Sequence, residues 1–240
     1  KKTYIGEIAF GACTDTQDAY GMVSETSDAV ITAEMVKSVL PQFIGKAEQT
    51  PSRFSAIKVD GKRAYAKARN GEAFEMKPRR VTIERLEFLE QTGENRFLLE
   101  VVCSKGTYIR ALFEDIGRAL GTCAYMSFLE RTQSGNFSVE SSVTMEEAER
   151  MVQDGHVDRL LITIEQALSG FPRADVADAE LKRIANGLDG RLASKEKADL
   201  DDLYRIYCGG ELFGLGHIKD ERAKIAINLH EEDGYEKHQV

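Results

Sequence analysis

Residues 80–121 constrain the fold more than any other stretch. RVTIERLEFLE (80–90) and RFLLEVVC (96–103) are rich in β-branched and apolar residues, and TGEN (92–95) joins them. This pattern predicts a β-hairpin, with a phase slip between Ile83 and Leu86. Ile109, Leu112, Phe113, Ile116 and Leu120 then recur at helical spacing, and Gly121 stops the run. A hairpin that feeds an amphipathic helix argues against regular βαβα alternation. It favours an α+β fold with a mixed, largely antiparallel sheet and flanking helices.

The rest of the chain is consistent with that class. Residues 3–12 read as a strand, and TDTQDAYG (14–21) as a turn-rich loop in which Asp18 is a turn or capping residue. TAEMVKSVL (32–40) predicts a helix capped by Thr32 and stopped by Pro41. SAIKVDGKRAY (55–65) predicts an extended run turning at Asp60-Gly61, and 62–70 a short helix ended by Gly71. Residues 122–139 read as β. Thr144 and Glu147 form a capping-box pattern for a helix over 144–154, and 157–168 is helical again. The character changes near Phe171-Pro172. A small helix over 178–187, a hairpin around Gly209-Gly210 and a strand over 224–229 predict a small β-rich module. The expected domains are therefore 1–170 and 171–240.

Charge is distributed unevenly. The chain carries a net −8, yet Arg53 to Arg80 holds nine basic and three acidic residues. Phosphate contacts are local, and screening limits their reach to about 8 Å at physiological salt. An acidic protein can therefore still hold a nucleic acid through one segment, although a solvated charged loop would look the same. No window approaches the length of uninterrupted apolar sequence that a spanning helix needs. Cys13, Cys103, Cys123 and Cys208 form no CxxC, and the four histidines show no ligand spacing. The cysteines read as buried, reduced thiols of a cytoplasmic protein, with no metal site. The sequence opens KKTYIGEIAFGA, as though inside a strand.

Arg110 lies in the first turn of the 107–120 helix, beside its apolar stripe. A cation there opposes the helix dipole, so its choice suggests a partner elsewhere, such as a carboxylate or an RNA phosphate. Tyr4 and Tyr108, at strand ends, suit either a core position or stacking on an exposed base.

Four stretches, in order, resemble the TruB family of tRNA pseudouridine synthases. They are KTYIGEIAFG running into TDTQDAYG, PSRFSAIKVDGKRAYAKARNGE, SKGTYIRALFEDIGRALG, and FLERTQSGNFS. The resemblance is strong to about residue 140. Beyond that it is weaker, to a C-terminal extension with a PUA-like β module. It implies a pseudouridine synthase-like fold and an isomerase that converts the T-loop uridine of tRNA (position 55 in tRNA numbering) to pseudouridine. The uracil is detached at N1, rotated and rejoined at C5, with no metal or organic cofactor. The uridine must be flipped out of its loop.

By the same resemblance, Tyr4, Tyr108 and Leu129 line the base pocket, and Arg110 pairs the catalytic aspartate, keeping it ionised. Residues 51–80 match a mobile thumb insertion. Its Arg53, Lys58, Lys62, Arg63, Lys67 and Arg69, together with Arg131, would meet the T stem-loop, while Phe54 and Tyr65 would pin the insertion to the body. The family suggests a monomer. Two departures stand out. Glu130 occupies a commonly basic position. The GTLDP-type stretch that carries the nucleophile does not occur, and Asp15, Asp18 and Asp115 do not replace it by position. The expectation is an N-terminally truncated enzyme, inactive as it stands. The alternative is a tRNA-binding or tRNA-folding module without catalysis.

Overall fold

The computed structural model describes residues 1–198 and 202–230; His238 of the sequence reading lies outside them. Two compact units divide at 142/143.

The first unit is built on a six-stranded sheet. Its strands are β1 (Lys2–Phe10), β4 (Gly45–Gln49), β7 (Arg79–Gly93), β8 (Arg96–Cys103), β9 (Ala124–Ser134) and β10 (Phe137–Ser138), in the order β10-β9-β1-β8-β7-β4. Every pairing in it is antiparallel. The predicted hairpin is β7–β8, and its phase slip appears as a register shift between Ile83 and Arg85. β8 alternates up to Val101: Phe97, Leu99, Val101 and Cys103 are fully buried and Arg96, Leu98 and Glu100 less so, while Val102 at the strand end is buried as well. One face of the sheet is therefore apolar, and two helices cover it.

Those helices are α1 (Ala33–Val39) and α3 (Ile109–Ala119). Val36 and Val39 of α1, and Ile109, Leu112, Phe113 and Ile116 of α3, share one core cluster with Ile8, Phe10, Ile83, Leu86 and the buried β8 residues. Burying side chains of this size contributes about 1.5–3 kcal/mol each. Thr32 caps α1, accepting from the Met35 N–H at 3.3 Å. The β7–β8 turn also locks the approach to α1. Asn95, at φ 54°, accepts from the Ile31 N–H (2.8 Å) and donates to the Ala29 carbonyl (2.9 Å).

A two-stranded ribbon, β2 (Ala12–Thr14) and β3 (Val23–Thr26), follows β1. The 51–80 insertion contains a small hairpin, β5 (Lys58–Val59) and β6 (Lys62–Arg63), and then α2 (Ala64–Arg69). Asp60 and Gly61 turn the hairpin with φ of 50° and 82°, left-handed values that suit an Asp-Gly pair.

The second unit centres on a closed five-stranded barrel. Its strands are β11 (Arg173–Val176), β12 (Gly190–Lys195), β13 (Tyr204–Cys208), β14 (Glu211–Lys219) and β15 (Arg222–Asn228), ordered β11-β12-β15-β14-β13. Ile184 of α6 (Leu181–Ala185) joins Val176, Ile206, Cys208 and Phe213 in its core. Strands approach closely at Gly214, where a Cβ would sit 2.0 Å from the Ile227 carbonyl oxygen. The sequence reading expected a β-rich module with three strands; β11 and β12 are two that it missed.

The segment with α4 (Met145–Gln153) and α5 (Ile164–Ala167) groups with this barrel, so the boundary differs from the expected 170/171. One tie is the Tyr207 hydroxyl, which donates to Glu165 at 3.0 Å. The capping box of α4 forms as predicted from Thr144 and Glu147. Among the described residues no helix is long and apolar enough to cross a membrane.

Candidate active site and RNA-binding surface

Arg110 organises the site. It occupies the second position of α3, where free N–H groups surround it, and its guanidinium turns away from the helix. One Nη donates to the Thr16 carbonyl (2.9 Å) and to Asp18 Oδ2 (2.8 Å); the other donates to the Phe54 carbonyl (3.2 Å). The side chains of Arg110 and Asp18 are 20% and 16% exposed, so the pair is largely withdrawn from water. The sequence reading left Arg110 without a partner and gave Asp18 only a turn role. Asp18 does both. Its Oδ1 accepts from the Thr16 hydroxyl (2.6 Å) and the Tyr20 N–H (3.1 Å), which shapes the turn and leaves Oδ2 for the arginine.

The loop that carries Asp18 is itself anchored. Ala19 N–H donates to the Met126 carbonyl (3.0 Å), and Met126 N–H donates to the Gln17 carbonyl (3.1 Å). Gln17 sits at φ 65°, an uncommon value for a non-glycine residue, and its side-chain amide donates to Glu114 of α3. The turn is therefore held between β9 and α3, directly at Arg110.

Tyr108 is the N-cap residue of α3, and Gln49 fixes it. The Tyr108 N–H donates to Gln49 Oε1 (2.8 Å), and Gln49 Nε2 donates to the Tyr108 carbonyl (3.0 Å). Gln49 is 6% exposed at the end of β4, immediately before the insertion. Sequence reasoning missed it; a buried glutamine carries no local signal.

Tyr4 and Leu129 lie on the helix-covered face of the sheet. Tyr4 packs against the core that α3 shares, and it pairs with Arg131 across the β1–β9 ladder. Burial pushes the Tyr4 hydroxyl up, with Cys103 adding to the rise and a hydrogen bond to Arg131 working against it. Leu129 stands opposite Gly6, and a Cβ at Gly6 would lie 3.0 Å from the Phe113 ring and 3.1 Å from Leu129. Gly6 thus makes room for the fully buried Phe113 ring and for the part-exposed Leu129 beside Tyr4. Glu130 is exposed next to them and makes no salt bridge among the described residues.

The insertion divides into inward and outward groups. Lys58, Lys62, Arg63 and Arg69 are exposed on β5, β6 and α2. Arg63 donates to the Ala56 carbonyl (2.6 Å), and Arg69 lies 5.7 Å from the Tyr65 ring centre. Lys67 differs: it is buried, and its Nζ is 2.9 Å from Asp60. Its ammonium faces inward because α2 folds back over the hairpin turn. Tyr65 is 40% exposed, so it does not pin the insertion. Phe74, beneath the Arg53 guanidinium at 4.8 Å, and buried Met76 form the apolar side instead. Arg53 also donates to the Glu72 carbonyl at 3.0 Å. The insertion meets the Arg110 centre through Phe54.

Comparison with known proteins identifies the family. The TruB family pseudouridylate synthase N-terminal domain matches residues 1–109, and the tRNA pseudouridylate synthase B C-terminal domain matches residues 110–169. The chain belongs to the TruB family. It is similar to tRNA pseudouridine synthase B of Geobacillus thermodenitrificans, with 45% identity over 193 residues, covering 78% of this chain and 64% of that protein. The protein of the same name from Caulobacter vibrioides is 41% identical over 186 residues, covering 78% and 60%. The chain thus spans under two thirds of the length of these TruB relatives.

Among solved structures, a Cbf5–Nop10–Gar1 complex contains a chain with the same fold, at TM-score 0.68 and 23% identity, covering 96% of this chain and 65% of that one. An H/ACA RNP bound to a substrate RNA containing 2'-deoxyuridine gives TM-score 0.68 at 21% identity, covering 97% and 67%. The α+β, largely antiparallel assignment made from sequence therefore holds, with the β11–β13 pair of the barrel parallel.

Proposed function

We propose that this chain forms the base pocket and RNA grip of a tRNA pseudouridine synthase that isomerises the T-loop uridine, and that the nucleophilic aspartate comes from residues outside 1–240. The observation that carries the reading is the state of Arg110. Of its five N–H donors, three have partners among the described residues, which leaves Nε–H and one Nη–H. When the Phe54 carbonyl takes the outer Nη hydrogen, those two share the Nε edge of the guanidinium, where a second carboxylate would bind bidentately. A carboxylate held this way stays ionised and aimed, as a nucleophile at a nucleoside requires.

The rest of the chemistry follows from the surroundings. An everted uracil would stack on Tyr4, with Leu129 as the apolar wall and the buried Phe113 ring behind it. Lys58, Lys62, Arg63 and Arg69 would meet backbone phosphates of the T stem, recognised by shape more than by sequence. Lys67 would serve the insertion's own fold.

One observation favours a second reading. Asp18 already neutralises Arg110, so the pocket is electrostatically complete without a further aspartate. A module that binds and folds tRNA without catalysis would look the same.

Tritium release from tRNA labelled at uridine C5 tests both readings. The 240-residue chain is expected to bind tRNA and release none, and a chain that also carries a GTLDP-type segment is expected to release tritium from the T-loop position. Turnover by the 240 residues alone would refute the assignment of the nucleophile. No turnover from the extended chain would favour the binding module.

A further inference from the structure

We propose that Cys13, Glu25 and Cys123 form a binding site for a thiophilic divalent cation of the zinc class. The two cysteines are far apart in sequence and belong to no spacing motif, which is why they read there as inert thiols. The fold brings them together. Cys13 lies in β2, Glu25 is its direct partner across the ribbon in β3, and Cys123 immediately precedes β9. Backbone bonds knit the three segments: Gly11 N–H donates to the Cys123 carbonyl (3.0 Å), and Ser27 N–H donates to the Gly11 carbonyl (2.9 Å).

The two Sγ atoms and a Glu25 carboxylate oxygen all lie within 4.8 Å of one another. A tetrahedral zinc ion with Zn–S distances of about 2.3 Å holds two sulfurs about 3.8 Å apart, so small side-chain rotations complete the geometry. The donor set is two soft sulfurs and one carboxylate, which selects zinc-like cations over magnesium or calcium. Among the described residues neither Cys103 nor Cys208 belongs to such a group.

A second observation points to a ligand. The cluster opens on a cavity of about 520 Å³, also lined by Thr122, Glu114 and Arg118. Thr122 is 8% exposed, and its hydroxyl has no hydrogen-bond partner among the described residues. A water in the fourth coordination position would occupy the cavity, and a small rotation of Thr122, whose hydroxyl oxygen is closed off in the unliganded site, would bring it into reach. On binding, each thiol gives its proton to solvent and the ion takes the two thiolates, so the liganded group carries one net negative charge beside Arg118. The ion would staple the ribbon to the start of β9. That ribbon frames the loop that presents Asp18 to Arg110, so the site would act as a positioning device there.

The test titrates the purified full chain, kept reduced, with Co²⁺ as a spectroscopic probe, and then measures Zn²⁺ affinity against a chromophoric chelator. One ion per chain with a thiolate-to-cobalt charge-transfer band is expected. Loss of a residue that only hydrogen-bonds a ligand typically weakens metal binding about 10–100-fold, so loss of a direct ligand in Cys13→Ser should weaken it by at least about 100-fold. Glu25→Gln changes an exposed residue and preserves the fold; it should weaken binding by about tenfold or more. Absence of the thiolate band, or affinity unchanged in both variants, would overturn the proposal. None of these readouts depends on tRNA or on turnover.

Discussion

Gln49→Ala should loosen the N-terminal end of α3, and the structure gives the size of the effect. The variant removes two hydrogen bonds, of 2.8 and 3.0 Å, made by a side chain that is 6% exposed. The Tyr108 carbonyl keeps a partner, because Leu112 N–H also donates to it at 3.1 Å. The Tyr108 N–H has no replacement. Two bonds at about 1 kcal/mol each, with about 1–3 kcal/mol for a stranded buried donor, overlap to a total of about 2–4 kcal/mol. Hydrogen–deuterium exchange of the peptide over residues 97–113, followed in increasing urea, isolates the sheet unit from the barrel. Gln49→Met keeps the length of the side chain but not its amide, and should recover little. A cost below about 0.5 kcal/mol in the alanine variant, or full recovery by methionine, would refute the clamp.

Changing Lys58, Lys62 and Arg63 together to alanine should weaken tRNA binding and flatten its dependence on salt. Each lost phosphate contact removes about 0.7–0.9 from the log–log slope, so a loss of about 2–3 is expected from filter binding across a salt series. Lys67→Ala should leave that slope unchanged while making the insertion more sensitive to protease, because Lys67 is paired with Asp60. Stability should fall in acid partly through Glu7. Burial pushes the Glu7 carboxyl up, but hydrogen bonds from Ser127, Thr92 and Arg96 outweigh it, and the net value lies below the ordinary 4.5. The ionised form therefore stabilises the fold above about pH 4.5, and that contribution disappears as pH falls through the lowered value. Glu7→Gln should flatten the acid limb of a stability–pH profile; an unchanged limb would contradict this.

Much of the fold is local and was readable. The β7–β8 hairpin, α3, the Asp60-Gly61 turn and the Thr144 cap each follow from period or turn chemistry within a few residues. What escaped depends on contacts distant in sequence. β4 reads GKAEQ and has no β-branched residue; it is a strand because β7 offers it an edge. β11 and β12 are short and become strands on closing the barrel. The site shows the same division. Motif resemblance pointed to Arg110, Tyr4, Tyr108 and Leu129. The Asp18 contact spans 92 positions and the Gln49 clamp 59, and neither has a signature in sequence. Lys67 and its basic neighbours look alike in the sequence, and only the fold of α2 over its turn separates them.

The claim on which the account rests is that Arg110 serves the reacting nucleoside rather than the fold. Single-turnover tritium release by Arg110→Ala, measured beside tRNA affinity in protein that carries the aspartate motif, addresses it directly. The account predicts a rate lower by at least about 10²- to 10³-fold, the usual effect of removing one preorganised hydrogen-bond donor, with tRNA affinity nearly unchanged. A near-normal rate, or a loss confined to tRNA binding, would contradict it.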